Sequence, residues 1–279
     1  MVQQQAKAAA FRLLHAGKEI LLLPNVWDVA SARIIEEAGF KAVATSSAGI
    51  AFSLGYPDGQ IIPREEMLAA IARIAKAVRV PVSADVEAGY GNSPEDAGRT
   101  ARALLDAGAI GMNLEDTIVD STAALVEVPL QVEKIHAVRE MANRLRIPLV
   151  LNARTDVYLL QFGNPAKRYD ETVSRLSAFR DAGADCVFVP GLRDAPTIGR
   201  LVADLKCPVN ILAGPGSPPV TELFKLGVAR VSLGSGPMRA TMGHLRRIAE
   251  EVRTKGTYSN LEDSPTHAEM NRMMERNQR

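Results

Sequence analysis

The chain has 279 residues, is 47% hydrophobic but only 5% aromatic, and carries 33 Lys plus Arg against 32 Asp plus Glu. That length and aliphatic content suit one large independently folding domain or two ordinary ones. The near balance of charge excludes the electrostatic footprint of a nucleic-acid or anionic-membrane binder.

The elements read in order as a repeated unit. An amphipathic helix over residues 1–18 is ended by Gly17, and a short apolar strand, Ile20–Leu23, stops at Pro24-Asn25. Asp28 caps a helix over Ala30–Ala38, and a strand over Lys41–Thr45 runs into the small polar turn Ser46-Ser47-Ala48-Gly49. Phe52 to Ile62 is irregular and rich in turn residues, Pro63 opens a helix to Val78, and Val80–Asp85 is a strand. Ser93-Pro94-Glu95-Asp96 is an N-cap with proline at the first helical position, and that helix runs to Ala107. The pattern continues through strands at Ala109–Glu115, Ile147–Arg154, Asp185–Val189, Pro208–Leu212 and Arg230–Leu233, each followed by a helix. Such short runs of Val, Ile, Leu and Ala suit strands buried on both faces. Eight βα units without an internal linker predict a (β/α)8 TIM barrel over residues 1–255, with an N-terminal helix; a doubly wound open sheet is the alternative. Residues 256–279 read as a linker and a short polar helix, His267–Arg276, that packs on a neighbouring subunit or frays.

Cys186 and Cys207 lack any C-x-x-C spacing, so no redox or zinc motif is present. No secretory signal is read, and no apolar run approaches the ~18 residues of a membrane helix, so the expectation is a soluble cytoplasmic protein with reduced thiols. His15, His136, His244 and His267 all fall on predicted helices, where a solvated surface position is expected.

Active sites of such barrels lie at the C-terminal strand ends. Those ends carry Thr45-Ser46-Ser47, Asp85 and Glu87, Asn113 and Glu115, Asn152 and Arg154, and Asn210. Residues two apart on a strand share a face, so these groups converge on one pocket. Independent ion pairs at the rim are the bland reading of the same residues. Paired carboxylates repel unless a proton, a basic group or a cation sits between them. An oxygen-only donor set selects a hard cation, Mg²⁺ first with Mn²⁺ as the substitute, and the absence of histidine argues against zinc.

The runs Leu23-Pro24-Asn25-Val26-Trp27-Asp28, Ser46-Ser47-Ala48-Gly49, Leu54-Gly55-Tyr56-Pro57-Asp58-Gly59, Asp85-Val86-Glu87-Ala88-Gly89-Tyr90-Gly91, Asn113-Leu114-Glu115-Asp116 and Asn152-Ala153-Arg154-Thr155-Asp156 resemble the isocitrate lyase/phosphoenolpyruvate mutase superfamily. The similarity spans about residues 10 to 250. It implies a (β/α)8 barrel, Mg²⁺, 2-oxo acid or enolate chemistry, and homotetramers that exchange their last helices. Carried over by residue, it implies Asp85 as direct metal ligand, with Asp58, Glu87 and Glu115 acting through metal-bound water. It implies Ser46, Ser47 and Ala48 as donors to the substrate's carboxylate and oxo oxygen, and Arg154 opposite developing negative charge. Lyases of that family carry a K-[KR]-C-G-H loop, and phosphonate-processing members a lysine after the E-D pair. Here residues 116–128 contain no Lys, Cys or His.

A retro-aldol cleavage needs a base and an acid, which that loop does not supply in the family's usual form. Loss of CO₂ from a β-carboxy 2-oxo acid needs neither for the bond-breaking step, only stabilisation of the enolate. The leading expectation is therefore a Mg²⁺-dependent carbon–carbon lyase on a small 2-oxo or 2-hydroxy dicarboxylate, of the oxaloacetate decarboxylase type. A methylisocitrate or dimethylmalate lyase, a phosphonopyruvate-type carbon–phosphorus enzyme and a non-catalytic 2-oxo acid sensor are the alternatives. A phosphate-binding barrel could use the glycine-rich ends at 212–217 and 233–236, although Pro215 and the following Pro218 and Pro219 remove donors there. No lysine lies at a strand's C-terminal end, which disfavours a Schiff-base aldolase.

Overall fold

The computed structural model of the chain describes residues 2–17, 19–118 and 124–275. Nine strands, all parallel, form one sheet: β1 (Leu21–Leu23), β2 (Asn25–Val26), β3 (Val43–Thr45), β4 (Val82–Asp85), β5 (Gly111–Glu115), β6 (Val150–Arg154), β7 (Cys186–Phe188), β8 (Val209–Leu212) and β9 (Arg230–Ser232). Their order is β1-β9-β8-β7-β6-β5-β4-β3-β2. The two ends of that order, β1 and β2, are separated in the chain by Pro24 alone, so the sheet curls round into a near-barrel. The strand expected at Ile20–Leu23 is thus shorter and is followed by a second piece. Proline has no N–H for the ladder; its carbonyl still accepts from the Ala44 N–H at 3.2 Å, while Leu21–Leu23 pairs with β9 and Asn25–Val26 with β3.

The helices cover the outside. They are α1 (Val2–His15), α2 (Val29–Glu37), α3 (Ser47–Ser53), α4 (Arg64–Ala77), α5 (Pro94–Asp106), α6 (Val128–Arg144), α7 (Arg168–Asp181), α8 (Ala195–Leu205), α9 (Val220–Lys225), α10 (Gly236–Lys255) and α11 (His267–Glu275). Local chemistry fixes their starts. Asp28 and Ser93 each complete a capping box, with Ser31 and Asp96 as the reciprocal partners. The helix stops are equally local: Gly108 follows α5 at φ +93°, a left-handed geometry that a side chain disfavours. One helix was not anticipated: the run after Ser46, expected as a turn, is α3.

The core between sheet and helices is aliphatic and continuous, from Leu23 and Val43 through Ile71, Leu104, Leu151 and Leu201. Phe11 of α1 is fully buried, and a Cβ added at Gly111 would lie 2.7 Å from its ring, so α1 crosses the end where the strands begin. His15 departs from the expected solvated position. It is buried, edge-on to the Phe11 ring, and bonded through Nδ1 to the Phe11 carbonyl at 3.0 Å. Burial, then the Arg230 guanidinium, pushes its pKa down to about 4. His136, His244 and His267 are exposed as expected.

The C-terminal helices are less enclosed. Of the 20 residues of α10 only Met238 and Glu251 are buried, and Met242, Leu245 and Val252 are exposed. Within the single chain α11 packs on α2. Among the described residues no helix is long and apolar enough to cross a membrane.

Candidate active site

At the C-terminal strand ends lies a cavity of about 530 Å³. Its polar lining is Ser47, Asp58, Gln60, Glu87, Glu115, Thr117, Arg154 and Asp156. Asp85 ends β4 beside Ser47, whose Oγ donates to Asp85 Oδ2 at 2.9 Å; the Asp85 N–H donates to Thr45 Oγ1 at 2.9 Å. Asp85 Oδ1 is buried and has no partner.

Past Asp85 the chain makes a turn that ordinary residues resist. Glu87 and Tyr90 adopt φ of +52° and +59°, left-handed geometry that persists in non-glycine residues only where the surroundings hold it. Four hydrogen bonds help hold it here, with Glu115, Gln60 and Lys134 as the partners. Glu115 N–H donates to the Glu87 carbonyl at 3.0 Å. Tyr90 N–H donates to Gln60 Oε1 at 2.7 Å. Lys134 Nζ, fully buried on α6, donates to the Ala88 and Gly91 carbonyls at 2.6 and 3.2 Å. Gly91 is required: a Cβ there would fall 2.2 Å from Asp96 Cγ, in the capping box of α5.

The turn leaves Glu87 only 3% exposed as a residue, with Oε1 buried and unpartnered. Burial, then repulsion from Glu115, Asp85 and Asp58, pushes its pKa up to about 9. Glu115 is raised to about 8, mainly by burial, against the opposing pull of Arg154. Asp58, on the outer side, is also raised, by desolvation and then by Asp85. Burial is the largest cause for all three carboxyls, and repulsion from neighbouring carboxylates adds to it.

Arg154 supplies one cation and is fixed. Its Nη1 meets Glu115 Oε2 at 2.7 Å, and its Nε and Nη2 grip the two Asp156 oxygens at 2.5 and 2.7 Å. Burial opposes its charge, but Asp156 and Glu115 outweigh that and hold it protonated. The E-D pair divides its labour: Glu115 enters the cavity, while Asp116, fully buried, accepts from Thr155 Oγ1 at 2.6 Å and Asp156 N–H at 2.9 Å. Asp116 therefore fixes the turn that presents Asp156 to Arg154. Burial, against the Thr155 bond, raises it to about 6.

The structure does not place every anticipated residue at the cavity wall. Ser46 Oγ caps α3 by accepting from Gly49 N–H at 3.1 Å, and Ala48 follows it in the first turn of that buried helix. Asn210 lies deeper in the sheet, fully buried and bonded to Ser232 Oγ at 3.2 Å. The phosphate alternative loses its donors: Leu233 and Gly234 N–H both give to Asn25 Oδ1, at 2.7 and 2.8 Å. Within residues 116–128 the described flanks meet at one antiparallel bridge, Thr117 opposite Leu125, with Ile118 N–H on the Ala124 carbonyl at 3.1 Å and Val126 N–H on the Asp116 carbonyl at 2.7 Å. Val119, Asp120, Ser121, Thr122 and Ala123 lie outside the described residues.

Lys134, Gln60 and Arg230 were not singled out from the sequence. Arg230 is fully buried inside the sheet and reaches Ser83 Oγ and Asn113 Oδ1 at 3.4 and 3.3 Å, with Nε and Nη1 unpartnered. Burial lowers its pKa to about 10. Only a cation at the start of a strand that faces inward would have signalled it.

Among the described residues no three carboxylates or imidazoles converge as a ready-made metal cage. The donor set nevertheless fits a hard cation. Asp85 Oδ1 and Glu87 Oε1 are oxygen donors without partners, and a hydrated ion bound by one or two carboxylates is the usual mode of Mg²⁺.

Comparison with known proteins agrees with this geometry. The phosphoenolpyruvate phosphomutase family matches residues 11–253. A candidate lyase/mutase of Burkholderia cenocepacia J2315 superposes with a TM-score of 0.91 at 38% identity, covering 98% of this chain and 96% of that one. The oxaloacetate decarboxylase of Ectopseudomonas mendocina (strain ymp) is 32% identical over 81% of this chain and 77% of its own length. The structure of oxaloacetate acetylhydrolase with its product oxalate gives a TM-score of 0.86 at 28% identity, covering 96% and 94% of the two chains. The chain belongs to the phosphoenolpyruvate phosphomutase family, within the isocitrate lyase/phosphoenolpyruvate mutase superfamily.

Proposed function

We propose that the chain is a Mg²⁺-dependent carbon–carbon lyase that cleaves a small 2-oxo or 2-hydroxy dicarboxylate through an enolate, with decarboxylation of the oxaloacetate type as the leading reaction. The observation that carries the reading is the pair of buried, unpartnered oxygens, Asp85 Oδ1 and Glu87 Oε1, beside the fixed Arg154. Asp85 would hold the cation directly, and Asp58, Glu87 and Glu115 through water; Mn²⁺ would substitute. When bound, the cation supplies Lewis-acid charge next to the substrate's 2-oxo oxygen.

The remaining work falls to the chain's own groups. Ser47 orients Asp85, to whose Oδ2 both its hydroxyl and its N–H donate, and would turn those donors to the 2-oxo carboxylate end when substrate binds, with Ser46 and Ala48 fixing its place in α3. Arg154 faces the charge that builds as the C3–C4 bond breaks. The electron pair of that bond enters the C2–C3 double bond of the enolate, CO₂ leaves, and C3 later takes a proton from solvent. Asn210 supports from below. A substituted-malate lyase is the second reading, favoured by Glu115, the carboxyl of the E-D pair that lines the cavity and is raised by burial; Asp116, buried on Thr155 and the Asp156 N–H, could act only by positioning.

In this reading β1 and β2 count as one strand interrupted at Pro24, which makes the barrel (β/α)8. Residues 1–255 are the catalytic domain of a cytoplasmic enzyme. Residues 256–279 serve a neighbouring subunit in a homodimer or homotetramer, which accounts for the exposed apolar side of α10. Truncation after Gly256 should then reduce the mass seen by light scattering. Turnover with Mg²⁺ on oxaloacetate, methylisocitrate, dimethylmalate and phosphonopyruvate tests the chemistry. Cleavage of phosphonopyruvate alone would overturn it, and Mg²⁺-dependent binding without turnover of any of them would favour the sensor alternative.

A further inference from the structure

Most side-chain donors at the cavity wall are already engaged. Ser47 gives its hydroxyl and its N–H to Asp85 Oδ2, and Thr117 gives its hydroxyl to Glu115 Oε1 at 2.5 Å. Arg154 is bonded to Glu115 and Asp156. Gln60 lines the same cavity and differs. Its Oε1 accepts from the Tyr90 N–H at 2.7 Å. A backbone N–H can only donate, so that bond fixes which way the amide points. The Gln60 Nε2 is left as a donor, and among the described residues it has no partner. The backbone holds it in place: Gln60 is left-handed at φ +60°, two residues before the fully buried Ile62. Ile61, Ile118, Leu159 and Leu160 line the cavity with it. Among the described residues, Gln60 is thus the one neutral side-chain donor at the wall without a partner, and apolar groups share that wall.

Loss of CO₂ changes the charge of the group that leaves. The C3–C4 electron pair passes into the C2–C3 double bond of the enolate, and C4 departs as a neutral molecule. A cation on that carboxylate would hold the ground state more tightly than the transition state and slow the step. A neutral donor beside apolar side chains orients the group without that penalty. We propose that Gln60 Nε2 is the donor to the carboxylate that departs as CO₂. The amide keeps its protons throughout. This rests on the decarboxylation reading of the same site and gives its departing group a residue.

Lactate and malate differ by the C4 carboxylate, and neither has the 2-oxo group that loss of CO₂ needs. Calorimetric titration of the full-length protein with each, in saturating Mg²⁺, therefore reads the second carboxylate without decarboxylation. The wild type should bind malate about tenfold tighter than lactate, the range of one hydrogen bond to a charged group. Gln60→Glu keeps an acceptor for the Tyr90 N–H, and Gln60→Met adds no charge. Both should bring the two acids to within about threefold of each other. A residue that only braces its loop would weaken both acids alike, and that result would overturn the proposal. Gln60→Lys should bind malate tighter than the wild type yet turn over oxaloacetate with lower kcat and lower KM. A raised kcat in that variant would sink the neutral-donor account. Oxaloacetate left intact by the wild type would refute decarboxylation, while the lactate–malate pair still decides whether Gln60 holds a second carboxylate. Binding of neither acid would refute both.

Discussion

Ser47 donates its hydroxyl to one oxygen of Asp85 at 2.9 Å and leaves the other buried and without a partner. A carboxylate held on one side and bare on the other is oriented for a ligand. It is a poor core group by itself, because a buried charge without a counter-charge is costly.

The first prediction follows from that pair. Mg²⁺ should raise the thermal midpoint of the wild-type protein, with a stabilisation of about 2.7 kcal/mol at a hundredfold excess over Kd. In Asp85→Asn the metal-induced shift should vanish, while the metal-free midpoint stays equal or rises, because a repelling charge has gone. Differential scanning fluorimetry with and without chelator reads this. An undiminished Mg²⁺ shift in Asp85→Asn would rule out Asp85 as the direct ligand.

Lys134 provides a second test, away from the cavity. Its ammonium is fully buried and holds the Ala88 and Gly91 carbonyls, and burial lowers its pKa to about 8 despite the attraction of Glu115. Lys134→Met would leave those carbonyls unsatisfied, at about 1–3 kcal/mol. The left-handed turn at Glu87 would lose its clasp, so Mn²⁺ affinity should fall about 10- to 100-fold, as for other groups that orient metal ligands. Denaturant unfolding and Mn²⁺ titration measure the two effects. Lost stability with unchanged metal affinity would mean that Lys134 merely fills space.

The tail gives a pH prediction of definite sign. Glu251 on α10 accepts from Thr257 Oγ1, Ser259 N–H, Asn260 N–H and Asn260 Nδ2, at 2.7, 2.9, 2.9 and 2.6 Å. The Thr257 hydroxyl first, then the Asn260 amide, pulls its pKa from 4.5 down to about 2. A carboxyl depressed on folding contributes stability above its unfolded pKa and loses it as pH falls toward the folded one. Amide exchange at Ser259 and Asn260 should therefore lose protection between about pH 4.5 and 2, and Glu251→Gln should lose protection at neutral pH. Protection that persists in Glu251→Gln would show that other contacts hold the tail.

Much of this was legible in the chain. Apolar runs and glycine stops placed all eight strand regions, because buried parallel strands and capped helices write themselves in short local patterns. Asp85, Glu115 and Arg154 are legible because each ends a strand, whereas Glu87 reaches the cavity through a left-handed turn past β4 that a period of two does not describe. Pro24 was read as a stop, though it interrupts a strand that pairs with different neighbours on either side. Ser46 is a substrate donor by the resemblance alone; that its hydroxyl accepts from the Gly49 N–H and caps α3 shows only in the fold. Lys134 and Arg230 were invisible, since a charged residue on a helix or strand reads as solvated until the packing shows otherwise.

The last prediction concerns how the work is divided between Arg154 and residues 116–128. Arg154 is bonded to Glu115 and doubly to Asp156, so its charge is placed before any substrate arrives. A preplaced cation is worth most where negative charge develops in a site that excludes water. Arg154→Ala should cost about 3 kcal/mol or more in kcat/KM, comparable to loss of one oxyanion donor. Asp156→Asn should cost less, because Glu115 still anchors one nitrogen, and should act mainly on kcat. If the reaction is loss of CO₂, alanine at Thr117, Asp120, Ser121, Thr122 or Glu127 should each cost little, since none is needed to give or take a proton. Shortening the segment should hurt more, by admitting water to the enolate. An aldol-type cleavage predicts the reverse pattern: one of those side chains, Asp120 or Glu127 first, would be as costly as Arg154→Ala and would remove one limb of the pH–rate profile. Steady-state kinetics across pH on this series decides between the two reactions, and a single such residue would replace decarboxylation with the aldol reading.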